Sequence, residues 1–472
     1  MPKKAKQSPR VRIERDPLGP KEVPWEAYYG VQTVRALENF PVSRLTFSPA
    51  MIRALGTIKY AAAKANMQLK QLDSRRGQAI VRAARELIEN TNGFQKQIVV
   101  DVYQAGAGTS LNMNVNEVLA NRAIELLGGE RGDYKVVHPN DHVNMAQSTN
   151  DVIPTAIRLG TLFTLPELMG VLEDLEKVLR AKAKEFDRVI KSGRTHLQDA
   201  VPIRLGQEFS GYARIIEKCR EKIACAQESL YELNLGATAV GTGLNSHPRY
   251  RQVAIGIIRR ETKLPLVPAE NLFEVTQSMA DVTHVSHAVR LLALEITKIC
   301  NDFRLLNSGP RTGLGELELP AVQPGSSIMP GKVNPVMAEM LNQVCFHVIG
   351  HDLTIAMAAQ AGQLELNVMM PVMGHTLITS VQILTNGVRA FTGRCVKGLK
   401  ADVKRCREYA ERSVGLATAL NPVIGYGKAA EIVKEAVRRD VSIRQVMQEK
   451  GLLEDPKIAH LLDDPFALTT PK

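Results

Sequence analysis

Residues 153–179 read IPTAIRLGTLFTLPELMGVLEDLEKVL, and the spacing of their apolar side chains decides the fold class. Leucine and phenylalanine recur every three or four residues, as one face of an α-helix requires. The recurring residues are Leu159, Leu162, Phe163, Leu168, Leu172, Leu175 and Leu179. The run predicts a helix that is longer than an ordinary globular helix and typical of helical bundles.

The same helical period returns elsewhere in the chain. It begins with residues 49–89 and recurs in residues 205–232, 277–306, 336–359 and 371–391. Several of these runs carry apolar residues on more than one face, so we expect them to pack against helices of other subunits as well as their own. The pattern predicts a mainly α protein built around a central bundle of long helices.

The overall composition fits a globular protein and excludes a small disulfide-stapled scaffold. Of the 472 residues, 44% are hydrophobic and only 5% aromatic, and the formal net charge is +11. We find no uninterrupted apolar stretch of about 20 residues, the length that a membrane-spanning helix needs. The basic N-terminus is not followed by the apolar core of a secretory signal. We therefore expect a cytoplasmic protein without a membrane partner.

The sequence divides into four regions by composition. Residues 1–15 carry six basic residues and one Glu, and we expect a disordered basic tail there. The predicted domains that follow are an N-terminal domain (16–148), a central helical-bundle domain (149–404) and a small C-terminal helical domain (405–472). The basic tail raises the alternative of nucleic-acid binding. It has no aromatic residue to stack on bases, and no nucleic-acid-binding module is recognisable, so we expect no such partner.

Four short segments interrupt the helical sequence with glycines and with hydroxyl or amide side chains. They are residues 106–114 (GAGTSLNMN), 147–151 (QSTND), 193–199 (GRTHLQD) and 325–335 (GSSIMPGKVNP). Glycine lets the backbone approach a ligand closely, and hydroxyl, amide and backbone N–H groups can bind an anion. Residues 147–151 precede a predicted long helix, so simple capping explains them equally well. Residues 193–199 are expected in a loop between helices.

Nucleotide chemistry is disfavoured, although residues 325–335 bear some likeness to a phosphate-binding loop. The pattern GxxxxGK[ST] is absent, because Val333 follows Lys332. Neither the GxSxG of hydrolases nor a GxGxxG after a strand is present. The flexible segment is instead expected to be a mobile loop whose serines and lysine meet one ligand.

Histidine and cysteine spacing does not predict a metal site. The pairs His284/His287 and His347/His351 lie on predicted helices, but they lack the Glu of HExxH and a third ligand. The cysteines form no CxxC pair, so we expect reduced and mostly buried thiols. They are Cys219, Cys225, Cys300, Cys345, Cys395 and Cys406.

Taken together, the polar segments resemble the fumarase/aspartase superfamily, whose loop GSSxMPxKxNP matches residues 325–335 at every specified position. Four further stretches look like family segments, and they occur in the expected order. They are GAGTSLNMNVNEVLANR (106–122), HVNMAQSTNDVIPTA (142–156), GRTHLQDAVPIRLGQEF (193–209) and GATAVGTGLN (236–245). The resemblance extends from about Arg15 to the C-terminus. It implies a mainly α, fumarase/aspartase-like fold.

Within the superfamily, the resemblance favours the ammonia-lyases that convert L-aspartate to fumarate. Fumarases usually show GSGTQ where residues 106–110 read GAGTS, so the hydroxyl expected of a hydratase is missing at Ala107. Residues 17–33, 332–346 and 362–372 also look more like the ammonia-lyases. Met370 argues against the ammonia-lyases, because these enzymes commonly have Glu at this position. Fumarate hydratase therefore remains the alternative, and lyases with larger leaving groups fit less well.

The resemblance also implies roles for individual residues. Ser326 would be the general base, in a loop that closes over the substrate. The C4 carboxylate would be bound by Thr109, Ser148, Thr149 and Ser327. The other carboxylate would be bound by Thr195, Lys332 and Asn334, with Asn150 and the further catalytic residue His196 near the amino group. Because hydroxyls, amides and backbone N–H groups can stabilise the charge that develops on a carboxylate, no metal or organic cofactor is expected.

The implied assembly is a homotetramer in which each active site collects segments from three subunits. Long bundled helices can hold segments that are far apart in sequence at a shared corner between chains. A helical scaffold with an inactive site is disfavoured, because every proposed site residue is present. Residues 138–141 (HPND) resemble a second dicarboxylate-binding segment of fumarases, but a capped loop explains them equally well.

Overall fold

A computed structural model describes residues 10–464 and 466–470 of the chain, and these residues are mainly helical. The helices are α1 (Val31–Asn39), α2 (Pro49–Gln68), α3 (Ser74–Glu89), α4 (Thr109–Leu126), α5 (Thr149–Glu185), α6 (Leu205–Glu228), α7 (Tyr250–Thr262), α8 (Glu274–Gln277), α9 (Ala280–Leu306), α10 (Val336–Gln360), α11 (Met370–Arg394), α12 (Val403–Arg412), α13 (Asn421–Ile424), α14 (Tyr426–Arg439), α15 (Ile443–Glu449) and α16 (Pro456–Asp463). The mainly α fold class is confirmed.

Short strands pair two by two among these helices. They are β1 (Val11–Asp16), β2 (Gly19–Pro24), β3 (Ile190–Thr195), β4 (Gln198–Arg204), β5 (Glu232–Leu233), β6 (Val267–Pro268), β7 (Leu317–Glu318) and β8 (Lys400–Ala401). The pairs β1–β2, β3–β4 and β7–β8 are antiparallel, and β5–β6 is parallel. These ribbons are too small to form a core of their own.

The described chain divides into two compact units that alternate along the sequence. Unit 1 contains residues 10–168, 222–291 and 347–383, and unit 2 contains residues 169–221, 292–346 and 384–470. The helices α5, α6, α9, α10 and α11 contribute residues to both units. The domain boundaries predicted after residues 148 and 404 follow composition along the chain and stay a prediction.

The helical periods read from the sequence correspond to real helices, and local signals set where they begin. Residues 49–89 form α2 and α3 rather than one helix. Ser48 Oγ accepts a hydrogen bond from the Met51 N–H (3.3 Å), and Pro49 occupies the first turn of α2. The Asp73 carboxylate likewise accepts from the Arg76 N–H (3.0 Å) at the start of α3. The 37-residue helix α5 contains the run that decided the fold class.

The prediction of a disordered tail over residues 1–15 is wrong for residues 11–15, which form most of β1. Residues 1–9 lie outside the described part of the chain. Arg12 is buried, and its guanidinium donates to the Glu14 carboxylate (2.7 Å) and to the carbonyls of Ala27 (2.8 Å) and Tyr29 (2.7 Å). The charge of Arg12, which the prediction placed in solvent, thus has hydrogen-bond acceptors inside the protein. These acceptors offset the loss of hydration.

Unit 1 brings α5 and α11 into close contact through glycine. A Cβ atom at Gly374 on α11 would lie 2.7 Å from Ile157 Cγ1 on α5, and one at Gly160 on α5 would lie 2.8 Å from Ile378 Cδ1 on α11. Real Cβ atoms do not approach other atoms this closely. The two helices therefore depend on small residues where they cross.

Unit 2 has an aromatic core and a separate apolar cluster near the C-terminus. The Phe209 ring contacts the rings of Phe186, Tyr212 and Phe303, with centroid distances of 5.2, 5.6 and 5.4 Å. Such edge and tilted arrangements are favourable for aromatic pairs. The C-terminal cluster is formed by Leu416, Ala417, Leu420, Ile432, Ala436, Ile443, Val446, Met447 and Ile458. It gives the short, charged helices after residue 404 a core.

Helix α5 is, within the described ranges, the helix whose length and apolar composition would allow it to cross a membrane. About two thirds (67%) of its most apolar window is buried inside the protein. A core helix meets the same criteria, because its apolar residues are covered by other helices.

Gly374→Ala is expected to destabilise the protein by about 1–3 kcal/mol, because the added methyl group would overlap Ile157 in a packed helix crossing. Gly393→Ala, on the same helix, is the matched control, since a Cβ there meets nothing within 4 Å. The control should raise stability by about 0.4–1 kcal/mol. Thermal or denaturant unfolding measures both, and equal shifts for the two variants would contradict the close-crossing interpretation.

Candidate active site

Two of the polar segments and the family-like stretch 236–245 meet at the start of α5 in unit 1. Asn112, in the segment 106–114, donates from Nδ2 to Thr149 Oγ1 (3.1 Å). Asn150 donates from Nδ2 to the carbonyl of Ala239 (2.8 Å), in the family-like stretch 236–245. Thr109 is the first residue of α4, and its side chain is exposed. The structure therefore joins hydroxyl and amide groups from separate parts of the sequence around the N-termini of two helices.

The N-terminus of α5 is capped, as one interpretation of residues 147–151 predicted. Ser148 Oγ accepts a hydrogen bond from the Asn150 N–H (3.2 Å), and the Ser148 N–H donates to the Asp151 carboxylate (3.0 Å). Capping does not exclude ligand binding, because Ser148, Thr149 and Asn150 stay partly exposed. A helix N-terminus with accessible hydroxyls is a suitable place for an anion.

Asp151 is a buried carboxylate at the end of the segment 147–151, and the sequence had indicated no role for it. Its Oδ1 accepts from the Ser148 N–H, and its Oδ2 accepts from the N–H groups of Gly236 (2.9 Å) and Thr238 (3.0 Å). Burial raises its pKa to about 6, while the three N–H donors and the charge of Lys59 act in the opposite direction. The carboxylate thus stays mainly ionised at neutral pH and holds residues 236–238 against α5.

Lys59 on α2 lies fully buried beneath this cluster and was also missed. Its Nζ donates to Asn112 Oδ1 (2.8 Å), Asn144 Oδ1 (2.9 Å) and Gln147 Oε1 (3.0 Å). Burial lowers its pKa to about 7, although the charge of Asp151 acts to raise it. The sequence did offer a signal, since residues 54–63 (ALGTIKYAAA) place this one charge in an apolar helical run. Lys59 orients three amide side chains around the start of α5.

In unit 2, Thr195 and His196 lie at the tip of a β-hairpin, so the expected loop between helices is incorrect. Residues 190–195 form β3, residues 198–204 form β4, and the two strands pair around residues 196 and 197. His196 and Leu197 have positive φ angles of 57° and 58°. Such angles are typical of the two central residues of a tight hairpin turn. Both Thr195 and His196 are exposed at the tip of this hairpin.

The loop that contains Ser326 runs from β7 to α10, also in unit 2. Ser326 Oγ accepts hydrogen bonds from the N–H groups of Ile328 (3.2 Å) and Met329 (3.0 Å). Two N–H donors directed at this oxygen can stabilise negative charge on it. Ser326 is partly exposed and the neighbouring Ser327 is exposed.

The two ends of this loop are held together. Asn334 donates from Nδ2 to the carbonyl of Gly325 (2.5 Å), which leaves its amide oxygen available for other contacts. A Cβ at Gly325 would lie 2.0 Å from the carbonyl oxygen of Lys332, so only glycine fits this approach. Lys332 itself is exposed. The loop is thus a closed turn that presents serine and lysine side chains.

The predicted site residues therefore fall into two groups. Thr109, Ser148, Thr149 and Asn150 belong to unit 1, whereas Thr195, His196, Ser326, Ser327, Lys332 and Asn334 belong to unit 2. Within unit 1 the structure brings the segments around Thr149 and Asn150 together. The sharing of one site among three subunits stays a prediction.

The remaining polar residues singled out in the sequence have local partners. His138 Nδ1 accepts from the N–H groups of Asn140 and Asp141 (both 3.2 Å), which supports the capped-loop interpretation of residues 138–141. Met370, at the start of α11, is fully buried. Its environment in unit 1 is therefore that of a core residue.

The histidine pairs also make other contacts. His287 Nδ1 lies 2.7 Å from Asp352 Oδ1, and His351 Nδ1 lies 2.8 Å from Ser380 Oγ. The rings of His347 and His351 contact each other, with a centroid distance of 4.0 Å. Among residues 10–464 and 466–470, no group of three or more His, Cys, Asp or Glu side chains is arranged to hold a metal ion.

Asp151→Asn is expected to destabilise unit 1 by about 1–3 kcal/mol, because one carboxylate oxygen becomes an NH₂ group that faces backbone N–H donors. Asp174→Asn is the matched control, since Asp174 lies exposed on the same helix and should change stability by no more than about 0.5 kcal/mol. Equilibrium unfolding in denaturant measures both effects. A loss no greater than that of the control would show that the three N–H contacts do not stabilise the fold.

Comparison with known proteins identifies the family. Residues 19–350 match the family described as "Lyase", and residues 416–470 match the family described as "Fumarase C C-terminus". The chain is 50% identical over 460 residues to an aspartate ammonia-lyase of Bacillus subtilis, a match that covers 98% of this chain and 96% of the relative.

Two solved structures are similar along nearly their whole length. A fumarate lyase:delta crystallin from Brucella melitensis, bound to cobalt, has a TM-score of 0.94 and 47% identity, with 98% of this chain and 100% of that chain covered. A class II fumarase from Schistosoma mansoni has a TM-score of 0.92 and 38% identity, with 97% and 100% covered. The family matches and the shared fold agree with the motifs read from the sequence. The chain belongs to this lyase family, the fumarase/aspartase superfamily, and is a carbon–nitrogen lyase.

Proposed function

We propose that the chain is an aspartate ammonia-lyase, which reversibly converts L-aspartate to fumarate and ammonia. The observation that carries this proposal is the 50% identity to the Bacillus subtilis aspartate ammonia-lyase over nearly the full length of both chains. The class II fumarase is less similar, at 38% identity. The difference supports the deamination of an amino acid over the hydration of fumarate.

The reaction needs a site that stabilises a carboxylate while it gains charge. Removal of a weakly acidic proton from C3 of L-aspartate places charge on the adjacent C4 carboxylate, as an aci-carboxylate, before ammonia leaves. Preorganised hydrogen-bond donors in a dry site are worth about 3–4 kcal/mol each at such a step. Donors proposed for this carboxylate are Thr109, Ser148, Thr149 and Ser327. The capped N-terminus of α5 supports this assignment, because backbone dipoles add to the hydroxyl groups there.

The rest of the substrate is assigned to exposed or partly exposed groups of unit 2 and to one amide of unit 1. Thr195, Lys332 and Asn334 bind the second carboxylate, for which Lys332 supplies a positive charge. Asn150 and His196 lie near the amino group, where His196 takes part in catalysis. The exposure of Thr195, His196 and Lys332 in the single chain supports a role in binding, since none of them is committed to a core.

Ser326 is the proposed general base. A free serine hydroxyl is far too weak an acid to be ionised at neutral pH, so its alkoxide needs strong stabilisation. The N–H groups of Ile328 and Met329, both directed at Ser326 Oγ, support this role. Closure of the loop over substrate would exclude water and strengthen these interactions.

The active assembly is proposed to be a cytoplasmic homotetramer, with each site shared by three subunits and with neither a cofactor nor a nucleic-acid or membrane partner. Phe346, Leu353 and Met357 support an assembly, because they recur along α10 at helical spacing and are 56%, 63% and 55% exposed. Large apolar side chains aligned on one helix are unfavourable in water and typical of an interface.

The substrate proposal predicts that the purified chain forms fumarate from L-aspartate with release of stoichiometric ammonia. Fumarate absorbance and an ammonia assay measure the two products, with L-malate as the competing substrate. Turnover of L-malate without turnover of L-aspartate would make fumarate hydratase, the alternative, the correct function. The similarity to the class II fumarase is the observation that keeps this alternative open.

The general-base proposal predicts that Ser326→Ala lowers kcat by at least about 10²-fold, a typical contribution of such a group, while the protein stays folded. Ser210→Ala is the control, because Ser210 lies exposed on α6 and only donates to the Gln207 carbonyl. Steady-state kinetics and circular dichroism measure activity and folding. Near-normal turnover by Ser326→Ala would remove Ser326 from the catalytic role.

A further inference from the structure

A buried cluster of charges lies beneath the hairpin that carries Thr195 and His196. Glu316 has no exposed surface, and its two carboxylate oxygens lie 3.0 Å from Lys191 Nζ and 3.0 Å from Arg194 Nη1. Lys191 Nζ also lies 2.9 Å from Glu208 Oε1 on α6. Two acidic and two basic groups are thus paired, of which Glu316 and Lys191 are buried and Arg194 and Glu208 are partly exposed. All of them belong to unit 2.

Both basic residues of this cluster belong to strand β3. Arg194 directly precedes Thr195, and its Nη1 contacts both oxygens of Glu316 at 3.0 Å. Hydrogen bonds between charged groups are stronger and more directional than neutral ones, so this contact defines the position of the strand end. The hairpin tip has no comparable support, since Thr195 and His196 are exposed.

Glu316 is itself anchored through its backbone. Its N–H donates to the carbonyl of Leu306 at the end of α9 (2.8 Å), and its carbonyl accepts from the Asp402 N–H before α12 (3.0 Å). The chain then continues from Glu316 into β7 and reaches Ser326 ten residues later. The same residue therefore determines where the Ser326 loop begins and, through its side chain, where the hairpin lies.

We propose that Glu316 is a positioning residue that holds the hairpin tip with Thr195 and His196 in a fixed relation to the start of the Ser326 loop. This inference rests on the proposed function, because it assigns Glu316 a role in arranging the groups that bind and deprotonate the substrate. Loss of its charge leaves Lys191 with the carboxylate of Glu208 and removes the carboxylate that Arg194 contacts. The hairpin then shifts to expose a cation to water, since an unpaired buried charge is strongly unfavourable.

Glu316→Gln tests the proposal, with Glu318→Gln as the matched control. Both substitutions remove one negative charge near β7, but Glu318 is exposed on that strand. In the full-length protein, Glu316→Gln should raise KM for L-aspartate by about 10-fold or more and lower kcat, because a displacement of about 1 Å can reduce rates 10²-fold. The control should match the wild type. Assays belong at a temperature where circular dichroism shows every variant to be folded.

Arg194→Lys covers the case in which Glu316→Gln does not fold. It keeps the charge but loses the planar group that reaches both oxygens, so KM should rise in the same direction and by a smaller factor. A lower melting temperature with kcat and KM unchanged in the folded variants would overturn the proposal, because that is the result of a purely structural ion pair. A rise in KM that the control reproduces would overturn it as well.

Hydrogen exchange followed by mass spectrometry separates this inference from the proposed function. Glu316→Gln should speed exchange in residues 190–204 and 325–334 and leave the β1–β2 ribbon unchanged. If the wild type does not act on L-aspartate, the proposed function fails while this measurement still decides the coupling. Unchanged exchange in both segments would contradict a positioning role for Glu316 whatever the substrate.

Discussion

The buried carboxylate of Asp151 is the interaction on which the arrangement of unit 1 depends. Three backbone N–H groups from two separate segments converge on it, and Lys59 supplies the opposite charge nearby. An ionised group away from water is tolerated only when such donors surround it. The segments cannot separate without leaving a charge unsolvated. The contacts of this one carboxylate therefore determine where the polar residues around α5 lie.

Unit 2 uses a similar device for a different purpose. There the buried charges of Lys191, Arg194 and Glu316 lie beneath exposed side chains, and the polar groups at the surface need no partners within the chain. A binding site needs side chains that are free to contact the ligand and a rigid support that already holds them in place. The energy of binding is then not used to order the protein. In the Ser326 loop, backbone N–H donors rather than ion pairs hold the serine side chain in place.

The sequence predicted the long helices and the polar segments well, because both have strong local signatures. The leucine period of α5 and the capping residues around Ser148 need no knowledge of distant contacts. Residues 11–15 and the hairpin around His196 were assigned incorrectly. Both regions are short antiparallel hairpins whose strands lack the usual apolar alternation. In β1 the buried side chains are the charged Arg12 and Glu14, while Val11 and Ile13 are exposed. Lys59 was missed and Asp151 was given no role, because the partners of both lie far away in the sequence. The charge of Lys59 inside an apolar run was nevertheless visible.

The hairpin turn at His196 is a position where folding and chemistry favour different residues. Hairpin turns with positive φ at both central residues prefer Asn-Gly, Asp-Gly or Gly-Gly, whereas this turn has His196 and Leu197. Another residue would thus fit the backbone better, and the imidazole is exposed at the tip of the hairpin. Where selection for stability alone acted, this position would drift toward Asn or Gly. A histidine there gives up some local stability for whatever its ring does outside the hairpin.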